Sequence, residues 1–475
     1  MRSEFLFFIK ASPDEFTFDT SAFKPEIIHQ SPCFLFMAND THNVQIFVLK
    51  NEVQITLGHP DLAFAKIIWN ESTRNLTVTI DELGLMSLFY HKKEKVTYLS
   101  NRIEVLEKTL SSRDLSLKSI AFFLVSGFLP PGWSFWKEIS RVEPTKSWSS
   151  HFLNQSEEQN WPSHYLQAIQ SSLQLIHHHV DPEQIRLSGG ADSRITSALW
   201  THPLTAVVVQ SPWLNSGEDL DVNLSKAWAE LRGWPHRVLY PTHKDFAFFL
   251  QQSPRPFLSG LCGGEFLGGQ FYRVVPSQPN EWLVKSDRFI PQDLSNLIHR
   301  DAWVLSCANN PETWYSECAR IFLVSSRSTI YESITGSWSA PYELTQRTVS
   351  PFTSPPFLKL FLSTPLNQIG DYDLYSNVFK LLGEEIVQIP LSSQFTLKVP
   401  EYKANSEWGR EPKAARPMEK SNLEDSEIVS TFLEILKTQN YQWPAELLTK
   451  ALTDKKIRIN LISLYYWLTS KFQIH

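Results

Sequence analysis

Glycine is scarce in this chain and is concentrated at two places. Only 17 of 475 residues are glycine, yet seven fall in two short segments: Gly189 and Gly190 in Ser188-Gly-Gly-Ala-Asp-Ser193, then Gly260, Gly263, Gly264, Gly268 and Gly269. In proportion to composition, those stretches would hold roughly half a glycine. A residue without Cβ is required where a turn is sharp or where another backbone or a ligand comes close. The first segment also lies in a telling pattern. A short strand near Ile185 to Leu187 runs into the glycines, a helix-compatible run follows from Asp192 to Trp200, and Leu204 to Val209 reads as a buried strand. That is a βαβ unit, preceded by an amphipathic stretch from Ser163 to His179. A second helix over Asp219 to Arg232, closed by Gly233, and a third strand over Arg237 to Tyr240 extend it into a parallel sheet with right-handed crossovers. Ligands of such sheets bind at the carboxyl ends of the strands.

The rest of the chain has a different texture. Residues 1 to about 110 alternate apolar and polar in short runs, as at Leu76, Val78 and Ile80, with similar runs at Cys33 to Met37, Gln45 to Leu49 and Val96 to Leu99. These predict antiparallel sheets packed as a sandwich. A helical face, Leu117, Ile120, Ala121 and Leu124, ends at Gly127 and Pro130-Pro131, and a polar stretch from about 140 to 160 marks the expected boundary between segments 1–150 and 151–475. From about 285 the periodicity is mostly helical, including Glu312 to Val324, Leu374 to Val387 and Asp425 to Lys437, while Lys403 to Glu424 reads as a charged loop. The expected fold is therefore α/β: a β-rich sandwich, then a parallel-sheet domain with a helical C-terminal part.

Charge and cysteine usage narrow the function classes. With 44 Lys+Arg against 50 Asp+Glu, the net charge of −6 excludes a basic nucleic-acid binder. The cysteines Cys33, Cys262, Cys307 and Cys318 form no CxxC pair and no zinc-ligand spacing, which points to a reducing cytoplasm. The apolar run Phe5 to Ile9, between Glu4 and Lys10, is too short for a signal-peptide core, and no stretch is long enough for a membrane span.

The chemistry of the first glycine segment is direct. A strand that ends in Ser188-Gly-Gly190 and turns into a helix presents unpaired amides and a positive helix end to an anion. Phosphate oxygens suit those donors and the hydroxyls of Ser188 and Ser193, but Asp192 would repel phosphate unless a divalent cation stood between them. Mg²⁺ at Asp192 is the resulting expectation. No Walker sequence and no GxGxxG fingerprint accompanies the loop.

Ser188-Gly-Gly-Ala-Asp-Ser193 resembles the SGGxDS pyrophosphate loop of the asparagine synthetase superfamily. Other stretches agree in order: Asp81-Glu-Leu-Gly-Leu-Met-Ser-Leu-Phe-Tyr90 followed by Leu99-Ser100 is similar to the D-x-x-G-x-x-x-L-Y segment of the family's amidotransferase-like domain, Ser259-Gly-Leu-Cys-Gly-Gly-Glu-Phe-Leu-Gly-Gly269 resembles its SGEGADELFGG segment, and Pro351-Phe352 resembles its later PF motif. The resemblance implies an amidotransferase-like domain over 1–150 and an adenine-nucleotide α-hydrolase-like synthetase domain over 151–475. It further implies that ATP activates a carboxylate as an acyl-adenylate, with release of pyrophosphate, for attack by an amine. Ser188, Gly189, Gly190, Asp192 and Ser193 would hold pyrophosphate and Mg²⁺. Gly263 would approach the same site, and Val208 to Gln210 would line the adenine pocket.

Departures from the family pattern shape the rest. Its metal-binding aspartate aligns with Gly264, leaving Glu265 to reach the Mg²⁺, and its late lysine has no counterpart in place, Lys380 being the nearest candidate and Lys359 or Arg347 substitutes. Glu218, Asp219 and Asp221 read as helix caps, with a nucleotide role as the alternative. Position 2 is Arg2, where a glutamine amidotransferase would expose its cysteine, and Cys33 reads as a small buried hydrophobe, so no glutaminase is expected. His177-His178-His179 reads as a polar helix end, and Trp133, Phe135 and Trp136 as core. The expected function is amide formation without glutamine. It resembles the lactam and macrolactam synthetases, with a small-molecule or peptide carboxylate as substrate and, for a peptide, a precursor peptide and partner protease. The alternatives are amidation with free or partner-supplied ammonia and a degenerate binding or scaffold subunit.

Overall fold

A computed structural model describes residues 5–10, 27–31, 34–38, 44–59, 63–81, 88–93, 96–101, 103–110, 112–127, 129–130, 132–143, 160–210, 219–239, 257–260, 263–267, 280–309, 348–364, 373–383, 386, 389, 391 and 425–472. The chain is mixed α/β. It divides into two units: Met1–Ser149 with Gln278–Tyr342 and Arg416–His475, and Ser150–Ser277 with Glu343–Ala415. Where the sequence draws two consecutive segments, 1–150 and 151–475, the contacts draw units that interleave along the chain, because C-terminal helices pack on an N-terminal one.

In the first unit the strands are β1 (Phe5–Lys10), β2 (Ile27–Ser31), β3 (Phe34–Ala38), β4 (Val44–Leu49), β5 (Glu52–His59), β6 (Ala63–Asn70), β7 (Asn75–Ile80), β8 (Phe89–Lys93), β9 (Val96–Ser100) and β10 (Ile139–Arg141). They form a six-stranded sheet in the order β10-β8-β9-β1-β3-β2 and a four-stranded meander β4-β5-β6-β7, every pairing antiparallel. Alternation sets the buried face. Val53, Ile55 and Leu57 of β5 and Ala65, Ile67 and Trp69 of β6 turn inward, where they share one core with Phe36 and Leu99 of the other sheet and with Leu88, which precedes β8. The sheets therefore pack face to face, as the alternating pattern predicts.

The helix Leu117–Ser126 starts where the Ser116 hydroxyl accepts the Ser119 amide and ends at Gly127, whose φ of +83° is left-handed. Every residue from Ser119 to Ser126 is buried. A helix apolar all round has to be surrounded, and Asn280–Phe289, Gln292–His299 and Lys455–Phe472 pack on it. Asn460 donates to the Leu124 carbonyl at 2.8 Å, satisfying a group left open at the helix end, and to the Phe123 carbonyl at 3.2 Å, which also accepts the Gly127 amide. Phe135 and Trp136 are buried against Trp467, with ring centroids 4.8 and 5.5 Å away, and so belong to this core. Among the described residues no helix is long and apolar enough to cross a membrane.

The second unit is built on a parallel sheet of β11 (Gln184–Arg186), β12 (Thr205–Val209), β13 (His236–Leu239), β14 (Phe257–Ser259) and β15 (Thr348–Val349), in the order β13-β12-β11-β14-β15. The winding reverses between β11 and β14, which opens a crevice at their carboxyl ends. The helix Trp161–His179 is capped by Asn160 and buries Trp161, Tyr165, Ile169, Leu173 and Ile176 on one face. It packs against the helices Pro355–Ser363 and Asp373–Lys380. The helix expected over Leu374 to Val387 stops at Lys380 because Gly383, with φ at +93°, turns the chain out of it. The helices expected over Glu312 to Val324 and the loop over Lys403 to Glu424 lie outside the described residues. Asp425–Thr438 is a helix, as its periodicity predicts.

His236, on β13, approaches the Ser225 hydroxyl at 3.0 Å. Burial, and then the charge of Lys226, lowers its pKa from the usual 6.5. The unfolded chain therefore takes up a proton near pH 6.5 that the folded chain refuses, and stability falls as the pH drops below that value. Comparison of urea midpoints at neutral and mildly acidic pH should show a small decline that is absent in His236→Gln; an equal decline in both would assign it elsewhere.

Candidate functional site

The loop after β11 is folded around its own hydroxyls. The Ser193 hydroxyl accepts the Ser188 amide at 3.2 Å and lies 3.1 and 3.0 Å from the Ser188 and Gly190 carbonyls, to either of which its single proton is donated. The Gly190 amide donates to Ser188 Oγ at 3.1 Å. The helix Ala191–Leu199 then begins at Gly190 with no side chain capping its first turn. Its opening amides and the positive end of its dipole face the crevice end of β11.

The second glycine segment lies against the first. A Cβ on Gly260, directly after β14, would fall into the Asp192–Ser193 peptide, 2.6 Å from the Asp192 carbonyl oxygen. One on Gly263 would lie 2.7 Å from Asp192 Oδ1 and 2.8 Å from the Phe352 ring. The bare backbone at Gly260 and Gly263 thus has one cause: the turn after β14 closes on the turn after β11 around Asp192, where no Cβ fits, whereas a Cβ on Gly190 would meet only the Ser188 hydroxyl of its own loop, at 3.2 Å. Phe352, of the Pro351-Phe352 pair, is fully buried in a short 3₁₀ turn (Pro351–Thr353), where the Ser350 hydroxyl accepts its amide. Tyr375, buried on the helix Asp373–Lys380, donates its phenol proton to the Asp192 carboxylate.

On the other side of β11, Val208 is buried in β12 beside the loop strand, and Gln210 follows it, its amide donating to the Leu239 carbonyl at 2.9 Å. Asp219 caps the helix Leu220–Leu231, accepting the Asp221 and Val222 amides at 3.0 and 3.3 Å. Asp221 does not act as a cap. Its carboxylate turns to the loop and accepts the Gly189 amide at 2.9 Å. Arg186, the last residue of β11, is close to it: burial lowers the guanidinium's pKa and the Asp221 charge raises it.

Of the residues singled out from sequence, Ser188, Gly189, Gly190, Asp192, Ser193 and Gly263 come together, with Val208 and Gln210 on the neighbouring strand. Gly264 and Glu265 belong to the short helix Gly263–Phe266, but the Glu265 side chain lies outside what the structure describes, as do Glu218, Arg347, Arg2 and Cys33. Lys380 is exposed in the last turn of its helix, and Lys359 is exposed on Pro355–Ser363. Neither is drawn to the loop by any contact among the described residues. His177, His178 and His179 occupy the last turn of Trp161–His179, where His177 lies 3.2 Å from Asp181 and stacks on His202.

The donor set fits a magnesium–phosphate group. The uncapped helix start and the Ser188 hydroxyl suit phosphate oxygens, and the carboxylates of Asp192 and Asp221 are hard oxygen ligands that tolerate phosphate only across a cation. Among the described residues no group of three or more His, Cys, Asp and Glu is gathered. No protein-family model matches the chain, and no curated protein matches it in sequence.

Proposed function

We propose that the chain is an ATP-dependent ligase that activates a carboxylate as an acyl-adenylate and joins it to an amine. The observation that carries this reading is the closure of the second glycine segment on Asp192 of the first, at the point where the strand order of the parallel sheet reverses. On this reading the sandwich corresponds to an amidotransferase-like domain and the parallel sheet to an adenine-nucleotide α-hydrolase-like one. When bound, ATP with Mg²⁺ supplies the adenylyl group and offsets the charge of the departing pyrophosphate. The opening amides of Ala191–Leu199 and the Ser188 hydroxyl hold the phosphate chain, and Asp192, oriented by Tyr375, holds the cation with Glu265. Gly260 and Gly263 let the second segment approach closely enough to complete the pocket, with Val208 and Gln210 at the adenine side. Lys380 is the cation proposed to neutralise charge that develops on the leaving group.

The product proposed is a lactam or macrolactam, made in the cytoplasm from a small-molecule or peptide carboxylate whose own amine attacks; a precursor peptide and its protease would be the partners in the second case. Calorimetry with ATP and Mg²⁺ tests the site without knowledge of the acceptor. Binding by the intact chain, weakened roughly a hundredfold in Asp192→Ala, is expected for loss of a charged ligand to the cation. Absence of ATP binding in the intact chain would leave the loop a structural turn and the protein a binding or scaffold subunit.

A further inference from the structure

We infer that Asp221 is an internal anion of the phosphate loop, which makes nucleotide binding conditional on a divalent cation. The inference rests on the ligase reading above and names the residue that sets the cation requirement.

An amide has one hydrogen. That of Gly189 is directed to Asp221 Oδ1 at 2.9 Å, so it cannot also serve a phosphate oxygen while this bond stands. The carboxylate is not needed where it sits in sequence, since Asp219 already caps the first turn of Leu220–Leu231. Turned to the loop instead, it places a fixed negative charge one hydrogen bond from the segment whose amides suit phosphate. Asp192 places a second charge at the start of the next helix. Phosphate without a cation meets both; phosphate carrying Mg²⁺ presents each carboxylate with an opposite charge. Arg186, at the end of β11, lies within the field of Asp221. Removing the Asp221 charge therefore removes a repulsion that phosphate without a cation would meet.

A tether for Gly189 alone would make the same hydrogen bond, and Asp221→Asn separates the two roles because asparagine keeps an oxygen acceptor for the amide and loses the charge. Calorimetry on the full chain with ATP, in Mg²⁺ and in EDTA, reads the difference. The intact chain is expected to bind ATP in Mg²⁺ and at least tenfold more weakly in EDTA, and Asp221→Asn to bind in EDTA about as tightly as the intact chain does in Mg²⁺. An unchanged cation requirement in Asp221→Asn overturns the inference and leaves the ligase reading standing. Failure of the intact chain to bind ATP even with Mg²⁺ overturns both. Asp221→Ser, a neutral acceptor on a shorter arm, serves as the second variant; if neither variant folds by thermal melting, the carboxylate is a structural tether and the inference falls.

Discussion

Alanine at position 260 should destabilise the second unit by about 3 kcal/mol, the upper part of the range for overpacking a close contact, and remove nucleotide binding with it. A single methyl group is added, but it has nowhere to go. It would enter the Asp192–Ser193 peptide, and the atoms it meets are backbone rather than the ends of flexible side chains. Gly260 is tied to β14 and Asp192 to the first turn of a helix that leads out of β11, so neither can move without breaking the pairing of those strands. Gly383→Ala provides the comparison. Its φ is +93° with nothing within 4 Å of the added carbon, so the cost is conformational strain alone, about 1 kcal/mol. Urea unfolding of both variants checks the argument: if Gly260→Ala loses no more than Gly383→Ala, the two segments do not close on each other.

Arg194→Met should cost a similar amount, about 3 kcal/mol, by a different mechanism. Arg194 is fully buried, donates to the Ile386 and Ile389 carbonyls at 3.4 and 2.6 Å, and lies over the Trp228 ring at 4.9 Å. Methionine fills much of the same volume but strands buried carbonyls, each an uncompensated desolvation of about 1–3 kcal/mol. The loss should also reach the site. Ile386 and Ile389 follow the helix that carries Tyr375, so release of their anchor loosens the phenol that orients Asp192. ATP affinity in Mg²⁺ should therefore fall along with the urea midpoint. A variant as stable as the intact chain would mean that the carbonyls find other donors.

Much of the architecture could be read from sequence because it follows from local rules. Val53, Ile55 and Leu57 alternate with polar neighbours, and alternation of period two has one structural meaning when one face is buried. The two glycine segments were equally legible as places that need bare backbone. What spacing along the chain could not say is that Gly260 and Gly263 need it because Asp192 of the first segment lies against them. Tyr375 was missed for a related reason: it lies 183 residues from Asp192 and sits among Leu374, Val378 and Phe379, where a tyrosine reads as core. Asp221 reads as a cap because it stands two residues from the acid that does cap; which of two carboxylates turns to a helix start is decided in three dimensions. The helix expected to reach Val387 overran because Ile386 and Val387 continue the apolar rhythm past Gly383, whose left-handed φ outweighs it.

The buried helix Leu117–Ser126 sets a condition on how the protein can be made. The asparagine that satisfies the Leu124 carbonyl lies 336 residues downstream of it, on Lys455–Phe472, which is also part of the helix's cover. A ribosome adding about 5–20 residues per second needs on the order of tens of seconds to supply that stretch. During this interval Ile120, Phe122, Phe123, Leu124 and Val125, all buried in the finished fold, have only partial cover, from Trp133, Phe135 and, later, the helices Asn280–Phe289 and Gln292–His299. The newborn chain must therefore keep a partly covered oily segment from sticking to others while the two stretches of the second unit are still being synthesised between the three stretches of the first.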